Sequence, residues 1–369
     1  MSTYAPIVDG DRLRKVVSMY FHDTAPLPLP GVREEVVALH GPIEQWDVSR
    51  VTDFQYAFAD DAAAAALELE DLSAWDVSAA TSFEGMFLHC SKYRGIGLGA
   101  WGAAATAPRA LRTTAHMFRG CAALAGDGLG LWRNLMHTVR VARGMFAGCK
   151  ALTGRNVEDG TSASSASASS RDLDLWGAFG VASLEDTSTM FGGCISFTGG
   201  PACLRSWGEG LRALRCARAM FAGCVSFTGG DDFCGDWSPH LCALDDASYM
   251  FAGCVSFTGG VSGMERWLCE YGIADASYMF GNCRAFVGGS TALAAWGSLA
   301  LRRATNIRGL FAGCVSLQLL DARGWAVSLA AAQASGRLLA ADYMLHDCPA
   351  ASTDPRTADW IALFPTSVL

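Results

Sequence analysis

The chain has 369 residues, 51% of them hydrophobic and 17% charged, with a formal charge of −8. Disorder needs low hydrophobicity and high charge, and a nucleic-acid binder usually carries a basic excess, so neither class describes the chain as a whole. No uninterrupted run of about 18 strongly apolar residues exists, which argues against a membrane span.

Taken in chain order, the N-terminus has no positive region followed by an apolar run and a small-residue cleavage site, so no signal peptide is expected. Together with the lack of any Asn-x-Ser/Thr sequon, this reads as an intracellular chain. Leu13, Val16, Val17, Tyr20 and Phe21 follow helical spacing, with Asp11 placed to start the helix and Pro26, Pro28 and Pro30 to end it. Residues 1–40 are therefore expected to form an N-terminal helical cap.

Residues 41–350 carry a repeated Met-Phe-x-Gly-Cys phrase. Its phenylalanines are Phe58, Phe87, Phe118, Phe146, Phe191, Phe221, Phe251, Phe280 and Phe311, at intervals of 29, 31, 28, 45, 30, 30, 29 and 31, and a degenerate tenth copy places Leu345 at that position. Tryptophan keeps the same beat at positions 46, 75, 101, 132, 176, 207, 237, 267, 296 and 325. With the Phe as position 0, apolar or small residues recur at −7, −4 and −1, Cys at +3 and a large apolar residue at +6. Gly pairs close several units, at Gly199-Gly200, Gly229-Gly230, Gly259-Gly260 and Gly288-Gly289, and supply the positive φ that a sharp corner needs. One unit is too short to bury these positions by itself, so they become a core only when units stack. The expected fold is a repeat solenoid of about ten coils. The 45-residue interval holds a Ser/Ala-rich insertion, 154–172, read as a surface loop. Residues 351–369, with Trp360, Ile361, Leu363 and Phe364, are expected to cap the far end.

The phrases Gly41 to Phe54 (GPIEQWDVSRVTDF) and Leu72 to Ser78 (LSAWDVS) with Met86-Phe87 resemble the BspA-like leucine-rich-repeat surface proteins, a mycoplasma-type surface repeat of unknown function. The resemblance covers about residues 41–350. Later units lose the Asp-Val-Ser after Trp, and Cys stands where the family usually has Ala. It implies a leucine-rich-repeat-like right-handed coil with short parallel strands, displayed on a cell surface or secreted for adhesion.

The chemistry-bearing residues read mainly as structure. Cysteines spaced about 30 apart on successive coils would form a line rather than converge on one metal ion, so the Cys column reads as buried packing, and no metal or other cofactor is expected. The off-column Cys203, Cys216, Cys234, Cys242 and Cys269 are the better candidates for reactive thiols. Gly97 to Gly102 satisfies G-x-G-x-x-G, yet its Trp101 is the repeat Trp, so it carries no dinucleotide site. His89, His116, His137, His240 and His346 form no catalytic signature, and no enzyme activity is expected. Thr198, Thr228 and Thr258 align, but three copies without Thr-x-Thr do not make an ice-binding file. If −7 to −1 is a strand, positions −2 and −5 point outward. Tyr56, His116, Tyr249 and Tyr278, with Asp53, Asp186, Asp246 and Asp275, then form a partner-binding face. The competing reading is a solvated surface of complementary charge, since Arg215 and Arg218 sit in phase between Glu185-Asp186 and Asp245-Asp246. The functional expectation is a monomeric, non-catalytic module for a protein or glycan partner and not for nucleic acid, with a structural spacer as the alternative and an enzyme as the third reading.

Overall fold

The computed structural model describes residues 4–22, 31–154, 172–198, 204–229, 237, 240–259, 272–288, 303–318, 325, 331–332, 334–337, 340–358 and 362. Almost all of the 154–172 insertion lies outside them. So do Pro26, Pro28 and Pro30, Gly199 and Gly200, Gly230, Gly260 and Gly289, and the C-terminal Trp360, Ile361, Leu363 and Phe364. Trp267, Trp296, Cys203, Cys234 and Cys269 also fall outside. The chain divides into two compact units, Met1–Leu184 and Glu185–Leu369.

The first unit opens with helix α1 (Gly10–Tyr20), which buries Leu13, Val16, Val17 and Tyr20. The helix starts two residues earlier than the sequence suggests. Asp9 is its N-cap and accepts the Arg12 amide, while Asp11 lies in the first turn and pairs with Arg14 at 2.6 Å. A second helix, α2 (Val32–His40), follows. Tyr20 packs edge-on against Trp46, the first Trp of the repeat. Arg14 donates to the Gln55 carbonyl at 2.8 Å, giving that acceptor of the first unit a partner.

The repeats stack, but their described residues form no strands. Among the described residues there is no β-strand and no sheet. Single parallel bridges instead link position −5 of successive repeats, Asp53 to Ser82 to Thr113 to Val141 in the first unit. The second unit has its own series, Asp186 to Cys216 to Asp246 to Asp275 to Asn306 to Ala340. The expected leucine-rich-repeat-like right-handed coil, a repeat solenoid with short parallel strands, is thereby corrected to stacked turns, short helices and 3-10 segments.

The reason lies at position −2. Its ten occupants, from Tyr56 at φ +53° through Tyr249 at +58° to Tyr343 at +58°, are all left-handed. Extended backbone cannot continue through such a residue, so each bridge ends at once in a turn. Around Tyr249 the turn closes through Met250 N–H to Ala247 O at 3.1 Å and Ala252 N–H to Tyr249 O at 2.9 Å. Rungs still run from repeat to repeat at alternate residues, as in Ala247 to Asp275 (2.9 Å), Tyr249 to Ser277 (2.9 Å), Phe251 to Met279 (2.9 Å) and Gly253 to Gly281 (2.7 Å). The backbone is thus satisfied without a strand.

Side chains make three further ladders. Phenylalanines at position 0 stack on one another, with centroids 5.4 Å apart for Phe87 and Phe118 in the first unit and 5.7 Å for Phe221 and Phe251 in the second. The described repeat tryptophans are buried, and the indoles of Trp75, Trp101, Trp132, Trp176 and Trp237 each donate to the carbonyl three residues before the previous Trp. Trp132 to Leu98 O (2.7 Å) and Trp237 to Leu204 O (2.8 Å) are examples. Column cysteines are buried free thiols, and within each unit the S–H donates to the preceding repeat's Phe carbonyl, as in Cys121 to Phe87 (3.0 Å) and Cys254 to Phe221 (3.0 Å).

Candidate functional site

Position −2 is a corner rather than a strand face, and the proposed contact residues divide between the two units. Tyr56 and His116 lie in the first unit, two repeats apart. Tyr56 is 41% exposed, and its hydroxyl donates to Glu84 at 3.0 Å. Its ring lies over Gly85, the next occupant of the column, where a Cβ would collide with it. Partial burial and then the Glu84 carboxylate raise the Tyr56 pKa above the ordinary tyrosine value. His116 is half-buried beside Arg143, whose carbonyl accepts the His116 amide at 2.7 Å.

The second unit does bring two of the predicted residues together. Tyr249 and Tyr278 stack with centroids 5.2 Å apart and planes 13° off parallel. The Arg218 guanidinium stands 5.7 Å above the Tyr249 ring. Tyr278 covers Gly309 of the next repeat, and Tyr343 carries Arg308 at 5.1 Å. A side chain from one repeat therefore lies across the corner of its neighbour, and Tyr249 remains 37% exposed.

The acidic column has another task. Asp186, Asp246 and Asp275 are the bridging residues, and each accepts the backbone N–H two residues on, at 2.8, 2.9 and 2.8 Å. Asp53 does the same for Gln55 at 2.9 Å, and Ser82, Thr113 and Asn306 follow suit with their own side-chain oxygens. This is the Asx-type turn that prepares the left-handed corner. Asp186 and Asp246 also bond the hydroxyls of Ser188 and Ser248.

The remaining chemistry is buried. Burial pushes the column thiols upward, to about 12 for Cys224 and Cys283, so they are protonated and unreactive near neutrality. Of the off-column cysteines, Cys216 and Cys242 are half-buried, and burial raises the Cys216 thiol too. Among the described residues no His, Cys, Asp or Glu side chains converge in a metal-holding group, and no helix is long and apolar enough to cross a membrane.

Sequence reading missed one feature. Residues 85–154 contain nine lysines and arginines against the single acid Asp127, whereas residues 1–84 hold five basic and fifteen acidic residues. Counting charge in windows finds this segregation, which the whole-chain value of −8 conceals.

Stacked bends, joined by alternate rungs and by Phe, Trp and Cys ladders, define a repeat protein whose period is about one bend per 30 residues. The chain belongs to the family described as "Mycoplasma protein of unknown function, DUF285", whose model matches residues 31–110, 112–296 and 217–325. No curated protein matches the chain.

Proposed function

We propose that the chain is a non-catalytic interaction module whose outward corners hold a protein or glycan partner, in the manner of a BspA-like adhesion or scaffold protein. The observation that carries the proposal is the Arg218, Tyr249 and Tyr278 group. It presents large amphipathic area with a cation above it, on backbone fixed by the rungs. A non-catalytic role is supported by the acids, because Asp186, Asp246 and Asp275 are engaged by backbone amides instead of facing a cleft.

Glycine suits the corner, as Gly85, Gly144 and Gly309 show, so Tyr249→Gly with Tyr278→Gly removes the rings without opposing the left-handed φ. Proteins and glycans captured by the full chain should be lost by this double variant at an unchanged urea midpoint. Undiminished capture would refute the face. Engagement of the carboxylates with backbone also favours a structural spacer, and that reading predicts a variant that loses nothing but stacking.

A further inference from the structure

We propose that the two bends around Phe118 and Phe146 bind a polyanionic glycan bearing sulfate or carboxylate groups on successive sugars. The proposal does not depend on the tyrosine corners of the second unit.

Arg112, Arg119, Arg140 and Arg143 are all exposed on these bends. The rungs fix their order. Arg140 N–H donates to Arg112 O at 2.9 Å, His116 N–H to Arg143 O at 2.7 Å, and Gly120 N–H to Ala147 O at 2.8 Å. Equivalent residues of the two bends are therefore adjacent, and the guanidiniums Arg112 and Arg140 rise from neighbouring rungs. Adjacent rungs are separated by roughly 4.8 Å, the spacing of paired extended chains. Residues 85–154 hold nine basic residues against one acid, in a chain of net negative charge. Arginine suits the task, because its planar fork bonds sulfate and carboxylate oxygens in pairs.

Two observations select the glycan over other polyanions. An acidic peptide can also be held by an arginine cluster, but it gains further affinity where it can add main-chain hydrogen bonds to an open edge. Here the alternate amides of the bend around Phe118 are already used, including Phe118 N–H to Met145 O at 2.8 Å. Single-stranded nucleic acid needs exposed aromatic rings for its bases. Phe118 and Phe146 are buried, and the large side chains exposed on these bends are arginines and Lys150. A ligand whose charge is intrinsic to a regular backbone needs neither.

The test uses the full chain and fluorescein-labelled heparin, a sulfated glycan, followed by anisotropy across a salt series. Fully desulfated heparin, oligo-dT and polyglutamate serve as competitors. Arg112→Glu with Arg140→Glu should weaken binding by about tenfold or more and flatten its salt dependence, since ion release scales with the contacts made. Arg284→Glu, at an exposed site in the second unit, should bind as the parent does. Urea midpoints check folding, and Arg143→Gln repeats the test with a smaller change. Three results would overturn the proposal: no binding at low salt, equal loss in the Arg284 variant, or stronger competition by oligo-dT or polyglutamate than by unlabelled heparin.

Discussion

Alkaline pH should unfold this protein through its cysteine ladder. Burial raises the thiols of Cys90, Cys121 and Cys149 in the first unit above the ordinary cysteine value, and those of Cys224, Cys254, Cys283, Cys314 and Cys348 in the second. The folded state holds each proton that the unfolded chain releases near pH 9. The stabilisation is therefore complete below that value and is lost as pH rises toward the folded values, about 11 for Cys348 and about 12 for Cys224 and Cys283. One pH unit above the unfolded value costs each thiol a little over 1 kcal/mol. At pH 10 this amounts to about 4 kcal/mol for the three thiols of the first unit and about 7 kcal/mol for the five of the second. Typical domains hold only 5–15 kcal/mol in all. Urea unfolding followed by tryptophan fluorescence at pH 8, 9 and 10 reads the effect. The midpoint should fall steeply over that range, and Cys254→Ala should make the fall shallower by removing one titrating group. A midpoint at pH 10 equal to that at pH 8 would refute the buried, proton-holding ladder.

Phe251 is fully buried and has Phe221 and Phe280 at 5.7 Å on either side and Phe257 at 4.6 Å. Phe251→Ala should cost about 3–5 kcal/mol in urea unfolding. Tyr93 has a buried hydroxyl with no hydrogen-bond partner among the described residues, at the position that Phe197, Phe227 and Phe257 occupy elsewhere. Tyr93→Phe should stabilise by about 1 kcal/mol, raising the midpoint. Maleimide labelling of the folded chain at pH 7, read by peptide mapping, should mark Cys216 or Cys242 ahead of Cys224 and Cys254. Faster marking of the column thiols would contradict their burial.

Core positions were legible because they repeat. Phe, Trp and Cys recur at one phase, and a residue type that recurs every 30 positions must meet its own kind when units stack. The Asp and Tyr columns misled for a local reason. A column mixing Tyr56, Gly85, His116 and Gly144 has the composition of a left-handed corner, but tyrosine seldom adopts positive φ, so its presence suggested an outward strand position. The carboxylates at −5 looked like a binding file, yet Asp246 two residues before Ser248 is also an Asx turn, and the turn is what forms. Nothing in a single repeat distinguishes the two, since the same Asp can face solvent or fold back on its own amide. The indole and thiol hydrogen bonds to neighbouring repeats were beyond sequence, because they depend on the rise between stacked units. The cationic bends were within reach and were hidden by the opposite charge of residues 1–84.

The most direct test of the strandless ladder is a pair of substitutions at one corner. Ala219 sits at φ +53° and is half-buried in the second unit. Urea unfolding of Ala219→Gly and Ala219→Val should show the glycine variant as stable as the parent or more so, and the valine variant weaker by about 1–2 kcal/mol or more, since a β-branched side chain opposes left-handed backbone. A valine variant more stable than the glycine variant, as in a strand, would contradict the turn at position −2 and with it the stacking described here.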